Sequence, residues 1–100
     1  MKILSSAERK ALKARAHKLD PVVIVSDAGL SGGVLAEIER SLDSHELIKL
    51  RLNQPRDARE ALLAEICRRT GASPVQHIGK VLVIYLESPG LHKPSAGRYS

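Results

Sequence analysis

Apolar positions along the chain follow two rhythms, one of about 3.6 residues and one of two, and the switches between them mark out the elements. Leu12, Ala16 and Leu19 fall on one side of a segment running from Ser6 to Lys18, while Arg9, Lys10, Lys13 and His17 gather on another. Ser5 and Glu8 have capping-box spacing, in which the serine oxygen accepts from the third helical amide and the glutamate reaches back. The segment is therefore read as a helix with one packing face and one basic face. Pro21 ends it by pushing Asp20 out of the helical region, and the β-branched run Val22 to Val25 reads as a buried strand. Ser26 to Gly33 is rich in small turn residues, and Ser31 can cap a second helix in which Val34, Leu35, Ile38 and Leu42 recur until about His45.

Leu47 to Leu52 changes to strict alternation, with Ile48, Leu50 and Leu52 on one side and Lys49 and Arg51 on the other, as in a half-buried strand. Pro55 precedes a third helix whose inner face is read as Ala58, Leu62, Leu63, Ile66 and Cys67, with Gly71 placed to end it. Val75 to Ile78 and Val81 to Leu86 then form a hairpin around Gly79-Lys80, a pair suited to a type II′ turn. The order α-β-α-β-α-β-β describes one α/β domain over residues 1–87. Periodicity is lost after Glu87, and residues 88–100 are expected to be a flexible basic tail.

Composition narrows the possibilities. The chain is 43% apolar, enough for a packed interior, but it lacks Phe and Trp and has only Tyr85 and Tyr99 as aromatics. A sheet that stacks bases on a row of rings is thereby excluded. The formal charge is +5, and it is segregated: residues 1–20 carry six Lys or Arg against two acids, and residues 21–50 carry two against five. A separate basic segment is what a polyanion footprint requires. Cys67 has no second cysteine to pair with, and His17, His45, His77 and His92 lie in separate elements without ligand spacing, so neither a disulfide, a metal site nor a cofactor is expected. No apolar stretch has the length of an export signal or membrane span, which makes the expected setting the cytoplasm, without membrane or small-molecule partners.

The string GLSGGVLAEIERSLDSHELIKL at Gly29 to Leu50 resembles the CRM domain, the RNA-binding module of the YhbY family. The likeness extends to Leu19-Asp20-Pro21-Val22-Val23, Arg56-Asp57, Thr70-Gly71-Ala72, Val75-Gln76 and Ile78-Gly79-Lys80, covering roughly Leu4 to Tyr85. It implies a four-stranded mixed sheet flanked by helices, similar to the C-terminal domain of translation initiation factor three. It also implies a GxxG loop between first strand and second helix that approaches the RNA backbone, and a role on ribosomal RNA in maturation of the large subunit (pre-50S); the chain is expected to be a monomer. The family loop would fall on Ser26-Asp27-Ala28-Gly29, which lacks the first glycine and carries an acid. Gly29-Leu30-Ser31-Gly32 is itself a GxxG, with Gly33 beside it, so both registers are open. Glycines permit a close approach of phosphate to main chain, and amides at a helix start attract anions.

The candidate RNA-binding residues are accordingly Arg9, Lys10, Lys13 and His17, then Ser26, Gly29, Ser31, Gly32 and Gly33, then Lys49, Arg51 and Arg56. Each has a plainer explanation. A basic helix face is equally well a solvated surface, and charges alternating along a strand protect it from association. Arg56 and Arg59 open the third helix, where the macrodipole disfavours cations, and this conflict points to a use outside helix stability. Two rival functions remain. The chain could be an interaction module docking its basic helix on an acidic protein. An enzyme would need a cleft joining, for instance, His45 to a carboxylate from another element, and no spacing in the sequence creates one.

Overall fold

A computed structural model describes residues 3–87 of the chain. The elements are α1 (Ser6–Ala16), β1 (Val23–Val25), α2 (Gly32–His45), β2 (Leu47–Leu52), α3 (Arg56–Thr70), β3 (Ser73–Ile78) and β4 (Val81–Tyr85). The strands form one sheet in the order β1-β2-β4-β3, with β1 parallel to β2 and the other two pairings antiparallel. The fold is thus α/β with three helices and a four-stranded mixed sheet. The tail expected over residues 88–100 lies outside the described residues.

Local chemistry explains the element ends. Ser5 accepts from the Glu8 amide at 3.0 Å and its own amide donates to Glu8 Oε1 at 2.9 Å, which completes the capping box of α1. Gly71 ends α3 in the left-handed conformation at φ +82°, with its amide on the Cys67 carbonyl. Between α2 and β2 there is one residue, Glu46, whose φ of +61° reverses the chain in a single step. That conformation is uncommon for a side chain with a Cβ, and the sequence pattern does not announce it.

The sheet is covered on both faces, unequally. Ile48, Leu50 and Leu52 of β2 point to the face covered by α2 and α3, where they pack with Val23, Val25, Ile38, Leu42, Ile66, Cys67, Leu82 and Ile84. On the other face α1 lays Leu12 and Ala16 on Leu47, Val75 and Val83. Tyr85 closes the edge of that second, smaller core.

Four expectations need correction. Helix α1 ends at Ala16, two residues before Lys18, because the chain turns at His17 and Lys18 to bring Leu19 under the helix. Of the run Val22 to Val25 only Val23 to Val25 form a strand, at the sheet edge with one face open: Val22 and Ile24 are 49% and 58% exposed. Ala58 is exposed, since only Leu62, Leu63, Ile66 and Cys67 of α3 face the sheet. The first hairpin strand begins at Ser73, ahead of Val75, and a bulge between Pro74 and Gln76 absorbs one residue.

Burial pushes the Cys67 thiol up to about 11, so it should react with thiol reagents near neutral pH only when the chain opens. Leu50→Ala, at the centre of the larger core, should cost about 2–5 kcal/mol in urea unfolding and expose Cys67 to such a reagent at correspondingly lower denaturant.

Candidate nucleic-acid interface

The glycine bend sits where β1 leaves the sheet. Ser26 to Gly29 closes a turn through the Gly29 amide on the Ser26 carbonyl, 2.9 Å, and the Ser31 amide turns back to the Gly29 carbonyl at 3.1 Å. Gly29 holds φ +87°, a conformation in which an L side chain is strained. Ser31 is the N-cap of α2, its hydroxyl accepting from the Val34 amide at 3.2 Å. Gly32 and Gly33 therefore occupy the first two helical positions, where amides have no acceptor within the helix. A Cβ built on Gly32 would meet nothing within 4 Å. Packing therefore does not require glycine there.

Gln54 anchors this bend. Its buried side chain donates from Nε2 to the Ser26 carbonyl, and the Gln54 carbonyl in turn accepts from Arg59 Nη1 at 2.9 Å. The Asn53 amide donates to the Val25 carbonyl at 3.0 Å and the Leu52 amide to the Lys80 carbonyl at 2.7 Å. One end of the sheet is thus laced together from the glycine bend, the loop after β2 and the hairpin tip.

The basic face of α1 lies elsewhere. Arg9 and Lys13 line a cavity of about 470 Å³ with Pro74 to Ile78 of β3, the edge opposite β1. Arg15, which sequence reasoning did not single out, lines a cavity of about 360 Å³ on the β2 side with Leu19, Val22, Leu47 and Lys49. Lys10 and His17 are exposed without lining either. Arg9 and Lys13 of α1 and the glycine bend are thus set at different edges. What lies between them is a row of side chains on the α1 side of the sheet, in register across all four strands: Ile24 opposite Arg51, Arg51 opposite Val81, Val81 opposite Ile78. Three strand spacings of about 4.8 Å make this row about 14 Å long. Ile24 and Ile78 at its ends are 58% and 64% exposed, and Ile24 also borders Ser31 and Gly33 in a cavity at the start of α2. Lys49 lies one row down, paired with Val83 and half-buried.

Arg56 is not on this face. It opens α3 and shares a cavity of about 310 Å³ with Arg59, Glu60, His77 and Gly79. Sequence reasoning missed Ile24 as a surface residue because an unbroken β-branched run ordinarily reads as a strand buried on both faces, and Ile78 because an apolar strand end gives no sign of its exposure. Gln54 and His77 carried no signal in the pattern.

His45 and Asp20 do line one cavity, together with Arg15 and Lys49. Both side chains are exposed and no hydrogen bond joins them, so the pair lacks the held geometry that acid-base chemistry needs. Among the described residues no three His, Cys, Asp or Glu side chains are grouped to hold a metal, and no helix is long and apolar enough to cross a membrane.

Comparison with known proteins agrees with this fold. The sequence profile of the CRS1 / YhbY (CRM) domain matches residues 4–85. A candidate RNA-binding protein of Pseudomonas aeruginosa is 45% identical over 91 residues, which are 90% of this chain and 88% of that protein. An RNA-binding protein of Haemophilus influenzae is 44% identical over 89 residues, 88% of this chain and 90% of the other. The solution structure of a candidate RNA-binding protein of Staphylococcus aureus superposes with a TM-score of 0.76 at 29% identity, covering 86% of this chain and 91% of that one.

If Gln54 holds the bend as described, Gln54→Ala should leave the sheet amides protected while hydrogen exchange at Gly29 and Ser31 accelerates by about tenfold, the effect of removing one partly buried hydrogen bond.

Proposed function

The chain belongs to the CRS1 / YhbY (CRM) domain family, and we propose that it binds structured RNA chiefly through phosphates, acting on ribosomal RNA during assembly of the large subunit. The observation that carries the reading is the row Ile24, Arg51, Val81 and Ile78, which joins the open glycine bend at one edge to Arg9 and Lys13 at the other. RNA laid along it has amides of Gly32 and Gly33 at one end, the Arg51 guanidinium in the middle and the α1 cations at the far end. The relatives named as RNA-binding match over 88% and 90% of their own length and over 90% and 88% of this chain. The assembly role comes from the family resemblance and has its test in cellular crosslinking and RNA sequencing.

In this reading the phosphate contacts set affinity, and the row supplies aliphatic surface for sugars or unpaired bases. Sequence preference is weak, because backbone contacts position the RNA without reading its bases. Binding rather than catalysis is what the site offers: cations, amides and aliphatic surface, with no base held against a nucleophile.

Neutralising about four to six phosphates predicts that log K falls with log salt at a slope of roughly −3 to −5 on a structured RNA, measured by fluorescence anisotropy. Lys13→Gln should reduce that slope by about 0.7, and a flat response would remove the electrostatic basis of the proposal. Gly32→Asp offers a sharper separation of fold from function. A carboxylate at the first position of α2 suits the helix dipole, so thermal stability should hold or rise, while RNA affinity should drop by about tenfold. Gly32→Ala, which the open space accommodates, should stay within a few-fold of the native chain. Unchanged affinity in Gly32→Asp would move the phosphate site away from the start of α2.

A further inference from the structure

The cavity beside Arg56 is on the side of the sheet away from α1, outside the surface just described. The geometry points to a second phosphate seat there, formed by Arg56, Arg59 and His77 and filled by one phosphate of the bound RNA as it turns around the β3 edge.

Three observations converge on an anion. Two guanidinium groups and an imidazole line one cavity of about 310 Å³, and the only acid among its lining residues, Glu60, forms no ion pair with either arginine. Gathering like charges is unfavourable unless an anion completes the group. Inside the protein, Arg59 Nε and His77 Nε2 are both buried and without a hydrogen-bond partner. Buried polar atoms in native proteins are nearly always satisfied, so two orphans on residues that line one cavity mark a place where a hydrogen-bond partner belongs. Arg59 is oriented there by Nη1, which donates to the Gln54 carbonyl at 2.9 Å.

His77 reaches this side only because of the β-bulge. Val75 belongs to the α1 core and Gln76 pairs with Val83 of that same core, so two successive residues face α1. The alternation then resumes with His77 opposite Leu82, on the α3 side. An unbulged strand would turn His77 toward α1 and leave the arginines alone.

A phosphate suits the site better than a carboxylate. Its tetrahedral oxygens can accept from donors arriving from α3 and from β3 at once, whereas a carboxylate offers two oxygens in one plane. Continuity also favours RNA as the source. His77 lines both this cavity and the one holding Arg9 and Lys13, so the edge strand carries cations on both flanks. The inference draws on the RNA reading only for the source of the phosphate, and the seat can be tested without RNA.

The test is a titration of the full chain with inorganic phosphate, followed by NMR at the arginine Nε–H and histidine imidazole signals, with chloride at matched ionic strength as reference. The Arg59 and His77 signals should shift together and saturate, and Arg56→Ala should weaken that binding by about tenfold, as expected for loss of a charge-assisted contact. The same variant is then compared on RNA oligonucleotides bearing a 5′-phosphate or a 5′-hydroxyl. An equal loss on both assigns the seat to an internal phosphate, and a loss confined to the first assigns it to a terminal one. Arg59 and His77 signals that stay unmoved by phosphate overturn the seat, whether or not RNA binds elsewhere. So do shifts spread evenly over surface lysines and indifferent to Arg56→Ala. A saturable seat on a chain that binds no RNA would keep the seat and defeat the RNA reading.

Discussion

Alternation along β2 is the constraint on which the rest of the molecule depends. Ile48, Leu50 and Leu52 must all face α2 and α3, because together they form the floor of the larger core. Lys49 and Arg51 are then committed to the opposite face. A slip of one residue would drive two cations into that core and put three aliphatic side chains under the thinner α1 layer, so the register has little freedom. Everything placed on the α1 face inherits its position from this requirement, including the row from Ile24 to Ile78.

The second determinant is that α1 covers its face incompletely. It lies against β2 and β3 with a narrow packing surface of Leu12 and Ala16, and the end of the sheet nearest the glycine bend stays open. Exposed apolar residues scattered singly need no explanation, but Ile24 and Ile78 end one row with a cation between them. Aliphatic surface framed by positive charge is less suited to water than to a partner that is itself both charged and flat-faced. Nucleic acid has that character, with phosphates at intervals and bases between.

The cationic groups are also distributed with regard to what holds them. Surface ion pairs within α2 and α3 occupy Arg40 with Glu37, and Arg68 and Arg69 with Glu65, whose carboxyl the Arg68 guanidinium, and then Arg69, hold below the usual range. Exposed pairs of this kind add little to stability. Their consequence is rather that these arginines are partly neutralised, while Arg9, Lys13, Arg51, Arg56 and Arg59 have no acidic partner in an ion pair among the described residues. These unpaired cations lie on the α1 face and around the β3 edge.

Element order, strand alternation, the Ser5 and Ser31 caps and the Gly71 stop were all legible in the chain, because each rests on short-range chemistry: a period of two or 3.6, a hydroxyl three residues before an amide, a glycine where φ is positive. The likeness at Gly29 to Leu50 pointed to the same domain, and the misplaced cations at the start of α3 were visible as a conflict with the helix dipole. What the chain could not reveal was which strand lay at an edge, so Ile24 was taken for a core residue. Nor could it show that Arg9 and Lys13 sit at the edge opposite the glycine bend, since sequence separation says nothing of distance across a sheet. The bulge at Pro74 to Gln76 and the hold of Gln54 on Ser26 arise from pairing between distant segments. Local sequence determined the elements and the sign of their charge; tertiary pairing decided which side chains meet, because only strand order and register bring residues from separate elements onto one surface.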